Sequence, residues 1–247
     1  MQFQLHFQSS LGSTQTFLED SLKTKDVAEG TVIWAHEQRS GHGQDGNHWE
    51  SEAGMNLTFS LLLRPDFLDA SAQFLLNQCI ALGVIDYLQK QEGISPQLWL
   101  KWPNDFYVGR NKIGGMIFNN AVVGQTLRHC IAGIGININQ TIFSDYCPNP
   151  SSLAKETGRS YNLLSELESL LACLNTRYAA LKMGHLKQIR QDYLDLLFLK
   201  GIVAAYKYHD IVISATILGV DEFGRLLLLQ TTGEHLCCDM KEIQYIL

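Results

Sequence analysis

The sequence predicts an α+β fold, with helices packed on a largely antiparallel sheet and a small β-barrel at the C-terminal end. Three observations carry this. Apolar alternation recurs between residues 98 and 136 in short segments separated by short turns, which implies antiparallel strands. Apolar residues at helical spacing run through 71–90, 162–182 and 186–198. After Lys200-Gly201 the texture changes to short strands broken by glycine turns over about 45 residues, which fits a small barrel.

In chain order, 3–7 alternates like a strand and 9–15 is a polar turn. Thr16 and Glu19 have capping-box spacing and predict a helix start, with Gly30 ending that helix. A buried strand follows at 31–35. The polar run 36–54 holds Gly41, Gly43, Gly46 and Gly54 and is too long for a plain connection, which marks it as functional. A strand at 56–63 precedes the helix at 71–90, whose Phe74, Leu75, Cys79, Leu82 and Ile85 share one side. Four strands are predicted at 98–102, 106–108, 113–118 and 129–136. Leu163, Leu167, Leu170, Leu171, Leu174, Tyr178 and Leu181 define the next helix, and another spans 186–198. Barrel strands are expected at 202–208, 211–220, 225–230 and 235–240, with turns at 221–224 and 232–233. The predicted division is therefore 1–199 and 200–247.

The 247 residues, 46% of them hydrophobic, suffice for a large packed core. A formal net charge of -6 argues against generic nucleic-acid binding, which needs a positive face. No apolar run approaches the roughly 20 residues needed to cross a bilayer. Six cysteines without CxxC spacing, and no leader, make the cytoplasm the expected compartment. Cys237 and Cys238 should point to opposite faces of one strand.

The chemistry concentrates at Lys101-Trp102-Pro103-Asn104-Asp105 and Lys112-Ile113-Gly114-Gly115. If two strands fold back between them, two lysines and an aspartate converge, which suits an anionic, phosphate-bearing substrate. A lysine ammonium is a compact charge that offsets repulsion between two anions. The glycine loop is a weak signal alone, because a strand and not a helix follows it, but successive glycines let backbone amides form an anion nest.

Further motifs stand in order around this segment: Ser13-Thr14-Gln15, then Gln38 with Gly41, Gly43, Gly46 and Trp49, then Asn56-Leu57 with Ser60, and finally Gly133-Ile134-Gly135-Ile136-Asn137. On these motifs the chain resembles the biotin protein ligases along essentially its whole length. The resemblance implies a mixed sheet flanked by helices, like that of class II aminoacyl-tRNA synthetases and biotin synthetases, with a C-terminal SH3-like barrel. It implies an ATP-dependent ligase that makes biotinoyl-AMP and passes biotin to a lysine of a biotin carboxyl carrier domain. Biotin and ATP are then substrates, with Asp105 or Asn104 helping to hold Mg²⁺.

By the same resemblance, Lys112 and Lys101 are catalytic. Ser13, Thr14, Gln15 and Gln38 contact the biotin ureido ring, with Gly41, His42, Gly115 and Gly133 completing the biotin site. Gly43, Gln44, Trp49, Asn104, Asp105 and Asn137 bind the nucleotide, adenine packing on Trp49. The chain opens directly on the first strand, so no DNA-binding module is expected, nor a membrane partner; a homodimer through the central strands is an open arrangement. The rival readings are a lipoate or octanoate ligase or transferase of the same fold, and a biotin-binding sensor without turnover. One departure stands out: His42, Gln44 and Asp45 occupy positions where the family carries arginines. The loss of fixed positive charge predicts weaker retention of ATP or biotinoyl-AMP.

Overall fold

The computed structural model describes residues 1–44, 48–94, 97–144 and 149–246. Asp45 and Gly46, named above, lie outside the described residues, as does Cys147, one of the six cysteines.

A seven-stranded sheet forms the body. β1 (Gln4–Gln8) runs parallel to β2 (Thr31–Ala35), and every other neighbour is antiparallel, which makes the sheet mixed. From β2 the order continues through β3 (Leu57–Leu63), β7 (Thr126–Ile136), β6 (Asn111–Val123) and β5 (Asp105–Val108) to β4 (Leu98–Lys101). The β5–β6 turn is two residues long, with Gly109 at φ 57° in its first position, the conformation such a turn asks of glycine.

Helix α1 (Thr14–Thr24) covers one face, where Leu18 packs with Leu11, Ile33, Ala35, Leu62 and Ile131. The other face carries α2 (Gln73–Gln89) and α4 (Leu163–Lys182), the short α3 (Leu153–Thr157) coming just before α4 in the chain. α2 is buried nearly all round because sheet and α4 enclose it, with α5 (Leu186–Asp195) against it as well. Among the described residues no helix is long and apolar enough to cross a membrane.

The C-terminal segment forms a separate antiparallel sheet of β8 (Val203–Tyr208), β9 (Ile211–Val220), β10 (Leu226–Gln230), β11 (His235–Cys238) and β12 (Ile243–Tyr245), in the order β11-β10-β9-β8-β12. Its buried Tyr206, Ile217, Leu228 and Ile243 merge with the main core. The β9–β10 turn docks the two sheets together. Trp102 Nε1 donates to Gly224 O at 2.8 Å, and a Cβ on Gly224, at φ 90°, would lie 2.3 Å from the Phe74 ring. The motif tryptophan thus anchors the second sheet.

Several boundaries differ from the sequence expectation. α1 starts at Thr14 because the Ser13 hydroxyl, not Thr16, accepts the capping bond, from Thr16 N at 3.5 Å. Glu19 instead accepts from Asn119 Nδ2 at 2.6 Å. The helix ends at Thr24, and Gly30 serves the entry to β2, its N–H donating to Leu62 O. β6 and β7 extend to a tight hairpin at Gly124, longer than predicted, and α5 stops at Asp195. α3 and β12 were not anticipated, both being too short for a periodic signal. Cys237 is exposed and Cys238 buried, as strand alternation requires.

Candidate active site

Register builds the site. Asp105, Gly115, Gly135 and Thr58 fall in one cross-strand row on β5, β6, β7 and β3. Ile117, Gly133 and Ser60 form the next row, two residues along, on the same face. Three glycines in adjacent positions leave a trough in the sheet between the start of α1 and the glycine loop. The result is a cavity of about 270 Å³.

One wall is neutral and polar. Ser13, Thr14 and Gln15 reach it from the start of α1, and all three are buried. Thr14 Oγ1 and Ser60 Oγ share a hydrogen bond at 2.8 Å, and Thr14 N donates to Gln38 Oε1 at 2.7 Å. These groups give hydroxyl and amide donors and acceptors with no charge. A Cβ on Gly133 would meet Ile117 Cγ1 at 3.1 Å and Ser60 Oγ at 3.7 Å, so a side chain there would intrude beside them.

The opposite wall is charged. Lys112 Nζ lies 2.7 Å from Asp105 Oδ1, with the two side chains 28% and 26% exposed. The backbone of Lys112 is clamped on both sides, its N–H donating to Asn149 O and its carbonyl accepting from Ser151 N, both at 2.8 Å. Gly115 lets this ion pair close over the strand, since a Cβ there would meet Asp105 Oδ1 at 3.1 Å and Lys112 Nζ at 3.6 Å. Asn104 donates through Nδ2 to Gln44 Oε1 at 3.2 Å, while its Oδ1 is buried without a partner among the described residues. That orphaned oxygen and the Asp105 carboxylate are hard donors of the kind Mg²⁺ takes together with substrate phosphates. No cluster of three His, Cys, Asp or Glu side chains suited to a metal occurs among the described residues.

Trp49 closes the cavity from the glycine loop. Its ring lies against Gly135, where a Cβ would fall 2.5 Å from two ring carbons, and Lys112 Nζ is 5.7 Å from its centroid. His42, Gly43 and Gln44 line the same mouth, and His42 bridges to His48. Gln44 does more than leave an arginine's place empty, because its Nε2 hydrogen-bonds the Met240 sulfur in the β11–β12 turn. It therefore ties together the loop, the Asn104 turn and the C-terminal segment.

Three predicted residues stand off the wall. Gly41 backs it through Gln38 and Trp49 O, which a Cβ would meet at 3.3 and 3.2 Å. Asn137 is buried behind it, its N–H donating to Ile113 O and its Nδ2 to Ser151 O, with Oδ1 unpartnered among the described residues. Lys101 sits behind Asp105, its Nζ 4.7 Å from the Tyr245 ring centroid and 5.5 Å from that of Tyr107. Burial pulls its pKa below the ordinary lysine value. Sequence reasoning missed Thr58, Ile117, Gly135 and Met240 as wall residues. Counting two residues on from Gly133 would have found Gly135; nothing local marks Met240.

Residues 7–137 match the model of the biotin/lipoate A/B protein ligase family. The chain belongs to this family. Among its curated members, the bifunctional ligase/repressor of Bacillus spizizenii is 31% identical over 180 residues, covering 70% of this chain and 53% of that protein. The chain thus spans about half the length of that relative. The biotin--[acetyl-CoA-carboxylase] ligase of Paracoccus denitrificans is 26% identical over 230 residues, 91% of this chain and 95% of its own. The solved biotin protein ligase of Aquifex aeolicus in complex with biotin and ATP superposes with a TM-score of 0.78 at 24% identity, covering 98% and 99% of the two chains. That likeness establishes the shared ligase-family fold, including the second sheet.

Proposed function

We propose that this family member is an ATP-dependent biotin protein ligase. Biotin carboxylate attacks the α-phosphate of ATP to give biotinoyl-AMP and pyrophosphate, and a lysine amine of a biotin carboxyl carrier domain then takes the biotinoyl group and releases AMP. One observation carries this reading: a single cavity joins a neutral hydrogen-bonding wall, at Ser13, Thr14, Gln38 and Ser60, to a cationic one at Lys112. The first suits a cyclic urea, which needs donors and acceptors but no charge. The second suits the meeting of a carboxylate with a phosphate, where fixed positive charge offsets their repulsion.

Lys112 exchanges its Asp105 partner for the substrate anions, and the paired state holds its ammonium at the right place beforehand. Trp49 offers a flat face for adenine. Asp105 and Asn104 Oδ1 would hold Mg²⁺, which screens the phosphate charge when bound. We take residues 1–199 as the catalytic unit and 200–247 as an SH3-like barrel on a class II synthetase-like body, supported by the two-sheet division and by Met240, which brings the second unit to the cavity.

The test supplies biotin, ATP, magnesium and a carrier domain, and measures carrier mass. A gain of one biotinoyl group is expected, with none when lipoate replaces biotin. Carrier modified by lipoate alone would reassign the substrate, and biotin binding without any pyrophosphate release would make the chain a sensor.

A further inference from the structure

Lys101 and Asp105 are register partners across β4 and β5, so their side chains leave the same face, and Lys112 meets Asp105 at 2.7 Å. Among the described residues Lys101 makes no salt bridge of its own. Aromatic rings hold it instead: Tyr245 at 4.7 Å and Tyr107 at 5.5 Å to the centroids. Tyr245 belongs to the last strand of the second sheet, so this contact crosses from one sheet to the other.

The Tyr245 ring is fixed edge-on to Tyr206 at 5.3 Å, with Phe198 at 6.4 Å. Its hydroxyl is buried and has no hydrogen-bond partner among the described residues. An unsatisfied buried hydroxyl is a cost relative to phenylalanine, so what Tyr245 contributes here is its face and not its oxygen. A cation over such a face is attracted by the ring quadrupole, more strongly where water is excluded.

The arrangement answers a difficulty in the proposed ligase reading, on which this inference rests. When Lys112 turns to the substrate anions, Asp105 loses that partner beside phosphate, and its charge needs balance both before Mg²⁺ binds there and after the metal leaves. We propose that Tyr245 is a positioning residue, which holds Lys101 where it keeps Asp105 compensated and so leaves Lys112 free for the substrate. The C-terminal strand then takes part in ATP use without touching ATP.

The test measures biotin-dependent pyrophosphate release by the full chain, with KM for ATP, KM for biotin and kcat obtained separately. Tyr245→Leu is expected to raise KM for ATP about tenfold, a loss in the range of a desolvated cation–ring contact, with KM for biotin unchanged. Tyr245→Phe should restore the wild-type value. In a Lys101→Met background Tyr245→Leu should add nothing. Additive effects of the two changes, or a phenylalanine variant as impaired as the leucine one, would overturn the proposal. Tyr245→Met serves the same comparison if the leucine variant does not fold. A second readout is independent of turnover: the ε-methylene proton signal of Lys101, identified by its loss in Lys101→Met, should be shifted upfield by the rings and return in Tyr245→Leu. If the wild type released no pyrophosphate, the ligase reading would fail, while an unshifted Lys101 signal would overturn the positioning role itself.

Discussion

Replacing Gly135 with alanine places one methyl group where the Trp49 ring now lies. The added Cβ would sit 2.5 Å from Cε2 and Cζ2 and 2.9 Å from Nε1. Ordinary carbon contacts are near 3.5–4.0 Å, so the ring must retreat by about 1 Å or more. Trp49 stands on the glycine loop and lines the cavity, so the ring moves and the strand stays. If it could not move, overpacking would cost about 1–3 kcal/mol, or several degrees in midpoint at roughly 2–4 °C per kcal/mol for a chain of this size. A smaller thermal loss is expected, with a changed tryptophan emission and a KM for ATP about tenfold higher, since stacking of two aromatic systems contributes about 0.5–1.5 kcal/mol. KM for biotin should stay within twofold, because the Thr14–Ser60 wall is untouched. An unchanged KM for ATP alongside changed emission would refute the role given to Trp49.

Other changes test separate parts. Gln44→Arg removes the tie to Asn104 and Met240 but supplies the missing fork, and should lower KM for ATP and slow biotinoyl-AMP release by about threefold to tenfold; neither changing would refute the view that loop charge limits retention. Trp102→Phe leaves the buried Gly224 carbonyl without its donor and should cost about 1–3 kcal/mol in denaturant unfolding; a loss under about 0.5 kcal/mol would contradict the docking role. Burial holds Lys101 below its ordinary 10.5. Between that lowered value and 10.5 the unfolded chain binds more protons than the folded one, so this group's contribution to stability rises with pH there and its full penalty is present below. Lys101→Met should therefore raise the thermal midpoint at pH 7, with the gain shrinking as pH approaches 10.5; a pH-independent difference would contradict this.

The sheet strands were legible because alternation and short turns are local signals, and the 98–136 region reads correctly as four antiparallel strands. The site was legible through ordered motifs, which placed Ser13, Thr14, Gln38, Asp105 and Lys112 around one cavity. What escaped depends on distance in the chain. Lys101 stands close to the pocket residues in sequence, yet a ring 144 positions later decides where its charge sits. Gln44 reads in isolation as a lost arginine, and only its contact with Met240 turns it into a link between sheets. Ser13 shows a third kind of difficulty, since capping α1 and lining the cavity are the same position serving two purposes.

The central claim is that Lys112 carries the charge control of biotin adenylation. Pyrophosphate release from ATP, measured with and without biotin for the wild type and Lys112→Ala, tests it most directly. Biotin-dependent release should fall by about 10²–10³-fold in the variant, the usual cost of losing one preorganised charge-stabilising group. The thermal midpoint should change little, because the Lys112–Asp105 pair is partly exposed and contributes at most about 1 kcal/mol to folding. Biotin-dependent release that survives the loss of Lys112 would contradict it.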